Sequence, residues 1–210
     1  DYLYFTRKEI GENADSAARK IEDRFNYPVF VKPSNAGSSV GVSKARDKNE
    51  LMGALNFAAK YDRKVLVEEF INGRELECAV LGNDSPIASA VGEIVSSGEF
   101  YDYRAKYIDN KSKVIIPAGI PEETANTIRD YAVKAFKALD CAGLSRVDFF
   151  VHRETGKVYI NEINTIPGFT NISMYPMLWE ASGIPYPELI ERLLELAIER
   201  FEDNTREIDC

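Results

Sequence analysis

The chain is 210 residues long and 45% hydrophobic, enough to bury a substantial core as one large domain or two small ones. Acidic residues outnumber basic ones by 34 to 26, a formal charge of −8, so neither nucleic acid nor an anionic membrane has global electrostatic support and any anion must be caught locally. No apolar run approaches the roughly 20 residues of a membrane span and no secretory signal follows Asp1; three widely spaced cysteines (Cys78, Cys141, Cys210) argue against a disulfide framework and a zinc site, which leaves the cytoplasm as the expected location.

The opening DYLYFTRKEI starts on a strand-like run with no capping signal ahead of it, the expectation for a cut into a larger fold. Asn13 is suited to cap a helix from about Ala14 to Phe25, with Ala17, Ala18, Ile21 and Phe25 at helical spacing. Pro28 begins the short strand PVFVK, and the loop PSNAGSSVGVS then runs into a second strand rather than a helix, so it lacks the context of a Walker A loop. Lys32 leaves the strand just ahead of Ser34, Gly37, Ser38, Ser39 and Gly41, where its ammonium can meet phosphates; the plain alternative is a surface turn.

Asp47 caps a second helix to about Tyr61. KVLVEEFI and RELECAVL flank Asn72-Gly73, which predicts a hairpin in which Glu68 and Phe70 share a face with Glu75 and Glu77. That segment could offer strand-edge groups to an adenine and Glu75 to ribose hydroxyls, or it could be a solvated acidic face. A strand from Ile87 to Ser96 leads into SGEFYDYRAKYIDNKSKV, a stretch whose Tyr101, Tyr103, Tyr107, Arg104 and Lys106 suit a lid over a charged substrate. Helices follow from Pro121 to about Leu139, Met174 to Ser182 and Pro187 to Phe201. Strands and helices interleave without a strict βαβ rhythm, which predicts an α+β fold with mainly antiparallel sheets.

The stretch LSRVDFFVHRETGKVYINEINTIPGFT is the one place where charged side chains recur inside strand-forming runs. Arg146 to His152 and Lys157 to Ile163 read as a hairpin joined by the three residues Glu154, Thr155 and Gly156. That register sets Asp148 opposite Glu162 and Arg146 opposite Asn164, with Glu162 and Asn164 on one face. Two carboxylates facing each other across a strand pair destabilise a sheet unless something neutralises them. A divalent cation would do so, and oxygen ligands from Asp148, Glu162 and Asn164 suit Mg2+ or Mn2+ shared with a phosphate; the alternative is a solvated face on which Arg146 neutralises both acids. His152, the sole histidine, ends a strand and reads as a surface residue.

In order, VKPSNAGSSVGVS, VEEFINGRE, EFYDYRAKY, GLSRVDFF and YINEINTIPGFT resemble the ATP-grasp enzymes, and among them the D-alanine:D-alanine ligases, from about Leu3 to Phe201. The resemblance implies two α+β subdomains with the nucleotide held between them. Residues 1–72 would be the smaller, with the glycine-rich loop and first hinge strand, and 73–210 the larger, with the lid and metal site. It further implies that Lys32 contacts ATP phosphates, that Glu68, Glu69 and Ile71 hold the adenine and Glu75 the ribose, and that Asn161 belongs with the nucleotide-binding residues. Lys106 would reach the transferred phosphate, Tyr107 would close over the first D-alanine and Ser38 would meet Tyr107. Arg146 would stabilise the acyl phosphate and the tetrahedral intermediate, while Asp148, Glu162 and Asn164 would hold two Mg2+ or Mn2+ ions. Gly168, Ser173 and Met174 would receive the carboxylate of the second D-alanine.

The implied reaction is ATP-dependent joining of two D-alanine molecules for peptidoglycan, by a cytoplasmic enzyme that is a homodimer at full length. The family also carries an N-terminal domain with acidic and histidine contacts to the first amino acid and an upstream ATP-binding lysine. Neither is in these 210 residues, so the chain by itself is expected to be inactive, and a nucleotide-binding module without turnover is an alternative reading. A D-serine or D-lactate acceptor is another; Tyr107 within YDYRAKY favours an amine over a hydroxyl.

Overall fold

The computed structural model describes residues 1–37, 39–95, 113–170 and 172–205, and the chain divides into two compact units. The first, Asp1–Ile71, holds strands β1 (Tyr2–Thr6), β2 (Val29–Pro33), β3 (Ser43–Ala45) and β4 (Lys64–Glu69). They form one sheet in the order β1-β4-β2-β3 with every neighbour antiparallel. Val29, Val31, Val65 and Val67 alternate onto a single buried face. Helices α1 (Arg7–Glu22) and α2 (Lys48–Tyr61) cover it with Ile10, Ile21, Leu51 and Leu55, and Ala17, Ala18 and Ala58 are the small residues between them. Each of these larger apolar side chains contributes about 1.5–3 kcal/mol by leaving water, which is what fixes the sheet against its helices.

Asp47 caps α2 as expected, its carboxylate accepting from Glu50 N–H at 2.9 Å. The first helix departs from expectation by starting at Arg7, where Thr6 and Glu9 form a reciprocal capping box. Asn13 sits at a kink (φ −159°, ψ 78°) and accepts from Ser16 N–H at 2.9 Å, so it caps the second half of a longer, broken helix.

The second unit comprises Asn72–Val95 and the chain from Lys113. Its strands β5 (Gly73–Gly82), β6 (Ile87–Val95), β7 (Lys113–Ile115), β8 (Gly143–His152) and β9 (Val158–Asn164) form a second antiparallel sheet, in the order β7-β6-β5-β8-β9. Helix α3 (Glu122–Ala138) covers one face, packing Ile128, Ala132 and Phe136 on Leu76, Cys78, Val80, Val147 and Phe149. Helix α4 (Met174–Ala181) lies on the other face at β6, followed by α5 (Tyr186–Asp203). Gly92 on β6 makes that seat possible: a β-carbon there would stand 2.6 Å from Met174 Cε and 2.9 Å from Leu178 Cδ2. The fold is thus α+β with antiparallel sheets. Among the described residues no helix is long and apolar enough to cross a membrane.

The Asn72-Gly73 hairpin does not form. β4 pairs with β1 and β2 while β5 pairs with β6 and β8, so the two strands belong to different sheets, and Glu68 and Phe70 share no sheet face with Glu75 and Glu77. The turn signal is local. It is outweighed by the long ladder from Gly73↔His152 to Gly82↔Gly143 and by burial of β5 from Leu76 onward.

Candidate active site

The β8–β9 hairpin positions the acids by a route the sequence reading only partly anticipates. His152 N–H donates to Lys157 C=O and Gly156 N–H to His152 C=O, both at 2.9 Å, so the connecting loop is Arg153–Gly156, one residue longer than expected. Gly156 takes the left-handed conformation expected of it (φ 68°). Next to the loop the pairs are Val151↔Val158, Phe150↔Tyr159 and Phe149↔Ile160, a register that, continued, would turn Glu162 to the helix-covered face. A β-bulge at Asn161 takes up the extra residue and restores Asp148↔Glu162 and Arg146↔Asn164.

β5 lies on the other side of β8 and brings Glu77 opposite Asp148 and Glu75 opposite Phe150. Arg146 donates from Nε to Asp148 Oδ1 at 2.7 Å and from Nη2 to Oδ2 at 2.8 Å, and its Nε is 3.1 Å from Glu77 Oε2. Asn164 Nδ2 donates to Asp148 Oδ2 at 3.1 Å and to Glu162 Oε1 at 3.4 Å. Burial by itself would lower the Arg146 pKa, but its hydrogen bond to Asp148 and the charges of Asp148, Glu77 and Glu162 drive it upward. Glu77 is the member of this group that local sequence reading missed as a site residue; only the β5–β8 pairing places it here.

Among the described residues, Glu77, Asp148 and Glu162 set three carboxylates around the Arg146 guanidinium. Among the described residues no three His, Cys, Asp or Glu side chains stand ready as a closed metal cage, and Asp148 is engaged by Arg146 through both oxygens. Magnesium does not require such a cage, because it is commonly held by one or two carboxylates with waters and substrate phosphates. The all-oxygen donor set of Asp148, Glu162 and Asn164, two carboxylates and an amide, fits a hard divalent cation in that mode.

In the first unit Lys32 Nζ is 2.9 Å from Glu68 Oε2, on the face opposite the valine core. The same face carries Phe30 and Phe70, stacked at 6.2 Å, with Lys44 Nζ 4.4 Å from the Phe70 ring centroid. Glu69 ends β4, and Ile71 follows it partly buried. The glycine-rich loop is tied at its start by Ser34 N–H to Lys64 C=O at 2.9 Å and Asn35 N–H to Asp62 Oδ2 at 2.8 Å. Burial acts to raise the Asp62 pKa, but hydrogen bonds from Asn35, Lys64 and Arg63 outweigh it and lower it. Gly41 has φ +78° and would bring a β-carbon to 2.7 Å from the Pro33 and Tyr61 rings, so only glycine fits. Ser38, Lys106 and Tyr107 lie outside the described residues.

Gly168 and Ser173 come together after β9: a β-carbon on Gly168 would be 3.1 Å from Ser173 Oγ. Ser173 Oγ also accepts from Thr170 N–H at 3.0 Å and is 2.9 Å from Thr170 Oγ1. The Met174 side chain is buried at α4, so what it can offer a ligand is its backbone N–H.

The family model described as D-ala D-ala ligase C-terminus matches residues 1–195. The chain belongs to this family. Its fold is the ATP-grasp fold. Among curated relatives, the chain is 74% identical over 209 residues to the D-alanine–D-alanine ligase of Acetivibrio thermocellus and 66% identical over 209 residues to that of Ruminiclostridium cellulolyticum. Those alignments cover 100% and 99% of this chain but 56% of each relative, so the chain spans little more than half their length. Among solved structures it resembles the VanG D-Ala:D-Ser ligase of Enterococcus faecalis (TM-score 0.82, 42% identity, covering 93% of this chain and 56% of that one). It also resembles the D-alanine–D-alanine ligase of Coxiella burnetii (TM-score 0.79, 40% identity, covering 97% and 53%).

Proposed function

We propose that the chain is the ATP-grasp part of an enzyme that joins two D-alanine molecules, at the expense of ATP, into the dipeptide used for peptidoglycan. The carboxylate of the first D-alanine attacks the γ-phosphorus of ATP and releases ADP. The amine of the second then attacks the resulting acyl phosphate, losing a proton and expelling phosphate. The observation that carries this reading is the Arg146–Asp148–Glu162–Asn164 constellation, restored by the Asn161 bulge. Relatives named D-alanine–D-alanine ligase at 74% and 66% identity favour D-alanine over D-serine as the second substrate.

Asp148, Glu162 and Asn164 hold two Mg2+ or Mn2+ ions, which offset the negative charge of the phosphates. Arg146, already oriented by carboxylates, supplies a fixed positive charge where the acyl phosphate and tetrahedral intermediate develop negative charge. In the first unit Lys32 contacts ATP phosphates, Glu68 with the backbone of Glu69 and Ile71 holds the adenine, and Ser38 belongs to the loop that meets Tyr107. In the second, Glu75 takes the ribose and Asn161 also contacts the nucleotide. Lys106 reaches the transferred phosphate, Tyr107 covers the first D-alanine, and Gly168, Ser173 and the Met174 backbone receive the carboxylate of the second. The whole enzyme is a cytoplasmic homodimer.

Titration calorimetry of the chain with ATP in saturating Mg2+ tests this reading. Glu162→Gln removes one carboxylate of the Asp148–Glu162 pair and is expected to abolish metal-dependent nucleotide binding. A nucleotide Kd that stays the same in this variant would defeat the metal assignment.

A further inference from the structure

Arg146 stands between two carboxylates that do different jobs. Asp148 accepts from Arg146 Nε and Nη2, at 2.7 and 2.8 Å, and is also the acid next to Glu162 and Asn164. Glu77, on the neighbouring strand β5, brings Oε2 to 3.1 Å from the same Nε, while Glu162 and Asn164 belong to β9 on the other edge of β8. Glu77 is 7% exposed, and a carboxylate that deeply placed is costly unless a cation and hydrogen bonds compensate it.

A divalent cation drawing on Asp148 competes with Arg146 for its oxygens and repels the guanidinium. With Asp148 as its sole acceptor, Arg146 would either obstruct the cation or leave the sheet face. We propose that Glu77 is a positioning residue that holds Arg146 on the β5 side of Asp148, leaving the β9 side to the cation. This rests on the metal reading given above. Glu77 itself touches neither cation nor substrate; it acts through Arg146, and so sets both how freely Asp148 is available and where the guanidinium remains.

The test is Mn2+ binding, followed by the loss of the free-ion electron paramagnetic resonance signal, for the parent chain, Glu77→Gln, Arg146→Met and the double variant. Glu77→Gln is expected to raise the Mn2+ Kd about tenfold, the lower end of what loss of a ligand-orienting partner costs. With Arg146→Met present, the same substitution is expected to cost less by a factor of about five or more, since its target is gone. Equal losses in both backgrounds would mean that Glu77 acts as a bare charge or a direct ligand, and would overturn the proposal, as would an unchanged Kd in the native background. Should Glu77→Gln fail to fold by circular dichroism, Glu77→Asp carries the same comparison, keeping the charge but withdrawing it by one methylene. A parent chain that binds no Mn2+ would overturn the metal reading and this inference with it, an outcome distinct from a parent that binds and a variant that does not weaken.

Discussion

Replacing Gly92 by alanine sets two effects against each other. Its φ does not lie in the left-handed region, so alanine is conformationally acceptable, and the less flexible unfolded chain would by itself add about 0.4–1 kcal/mol of stability. Against this, the new methyl would stand 2.6 Å from Met174 Cε, 2.9 Å from Leu178 Cδ2 and 3.2 Å from Ile116 Cγ1. Carbon contacts are optimal near 3.5–4.0 Å, so all three are too close. Met174 and Leu178 are flexible at these atoms, yet both are buried and have little room to retreat. Overpacking of this kind costs about 1–3 kcal/mol, so at the middle of both ranges the net effect is a loss of about 1 kcal/mol. For a chain of this size that lowers Tm by roughly 2–4 °C. Scanning calorimetry of Gly92→Ala, alone and with Met174→Ala, measures it; the double variant is expected to lose less than the two single losses together, because Met174→Ala vacates the space. A Gly92→Ala protein as stable as its parent, or strictly additive losses, would show that α4 is not seated against β6 as described.

The Glu9 pKa is lowered chiefly by hydrogen bonds from the Thr6 backbone and side chain, so its contribution is complete above its ordinary pKa and is lost as pH falls through the lowered value. Glu9→Gln is therefore expected to reduce Tm at pH 7 and to match the parent once the pH is below that value; a gap that persists in acid would point to a cause other than the carboxylate charge. Cys78 is fully buried and burial pushes its thiol up to about 12, so it is expected to resist a thiol reagent at pH 8 until the protein unfolds. Of the two described cysteines, Cys141, partly exposed, is expected to react before Cys78, slowed by a pKa that burial and Asp140 raise. Peptide mapping of labelled protein checks the order, and early labelling of Cys78 would contradict the packing of β5 under α3.

What the sequence determined was whatever repeats within a few residues. Strand-forming runs in PVFVK and KVLVEEFI announced strands, Asp47 announced a helix start, and RVDFF and YINEIN announced the two strands that carry Asp148 and Glu162. Such patterns are legible because helix and strand periods act on neighbouring side chains. Three decisions belonged to the tertiary structure. Asn72-Gly73 separates two sheets because β4 and β5 each find longer, better buried partners elsewhere in the chain. The extra loop residue at Arg153 would have turned Glu162 away, and the Asn161 bulge is what returns it. Glu77 reaches Arg146 through a pairing between strands far apart in sequence, β5 and β8. A pairing of that kind is decided by which strand edges and which apolar faces satisfy one another across the folded chain, and no local spacing carries that information.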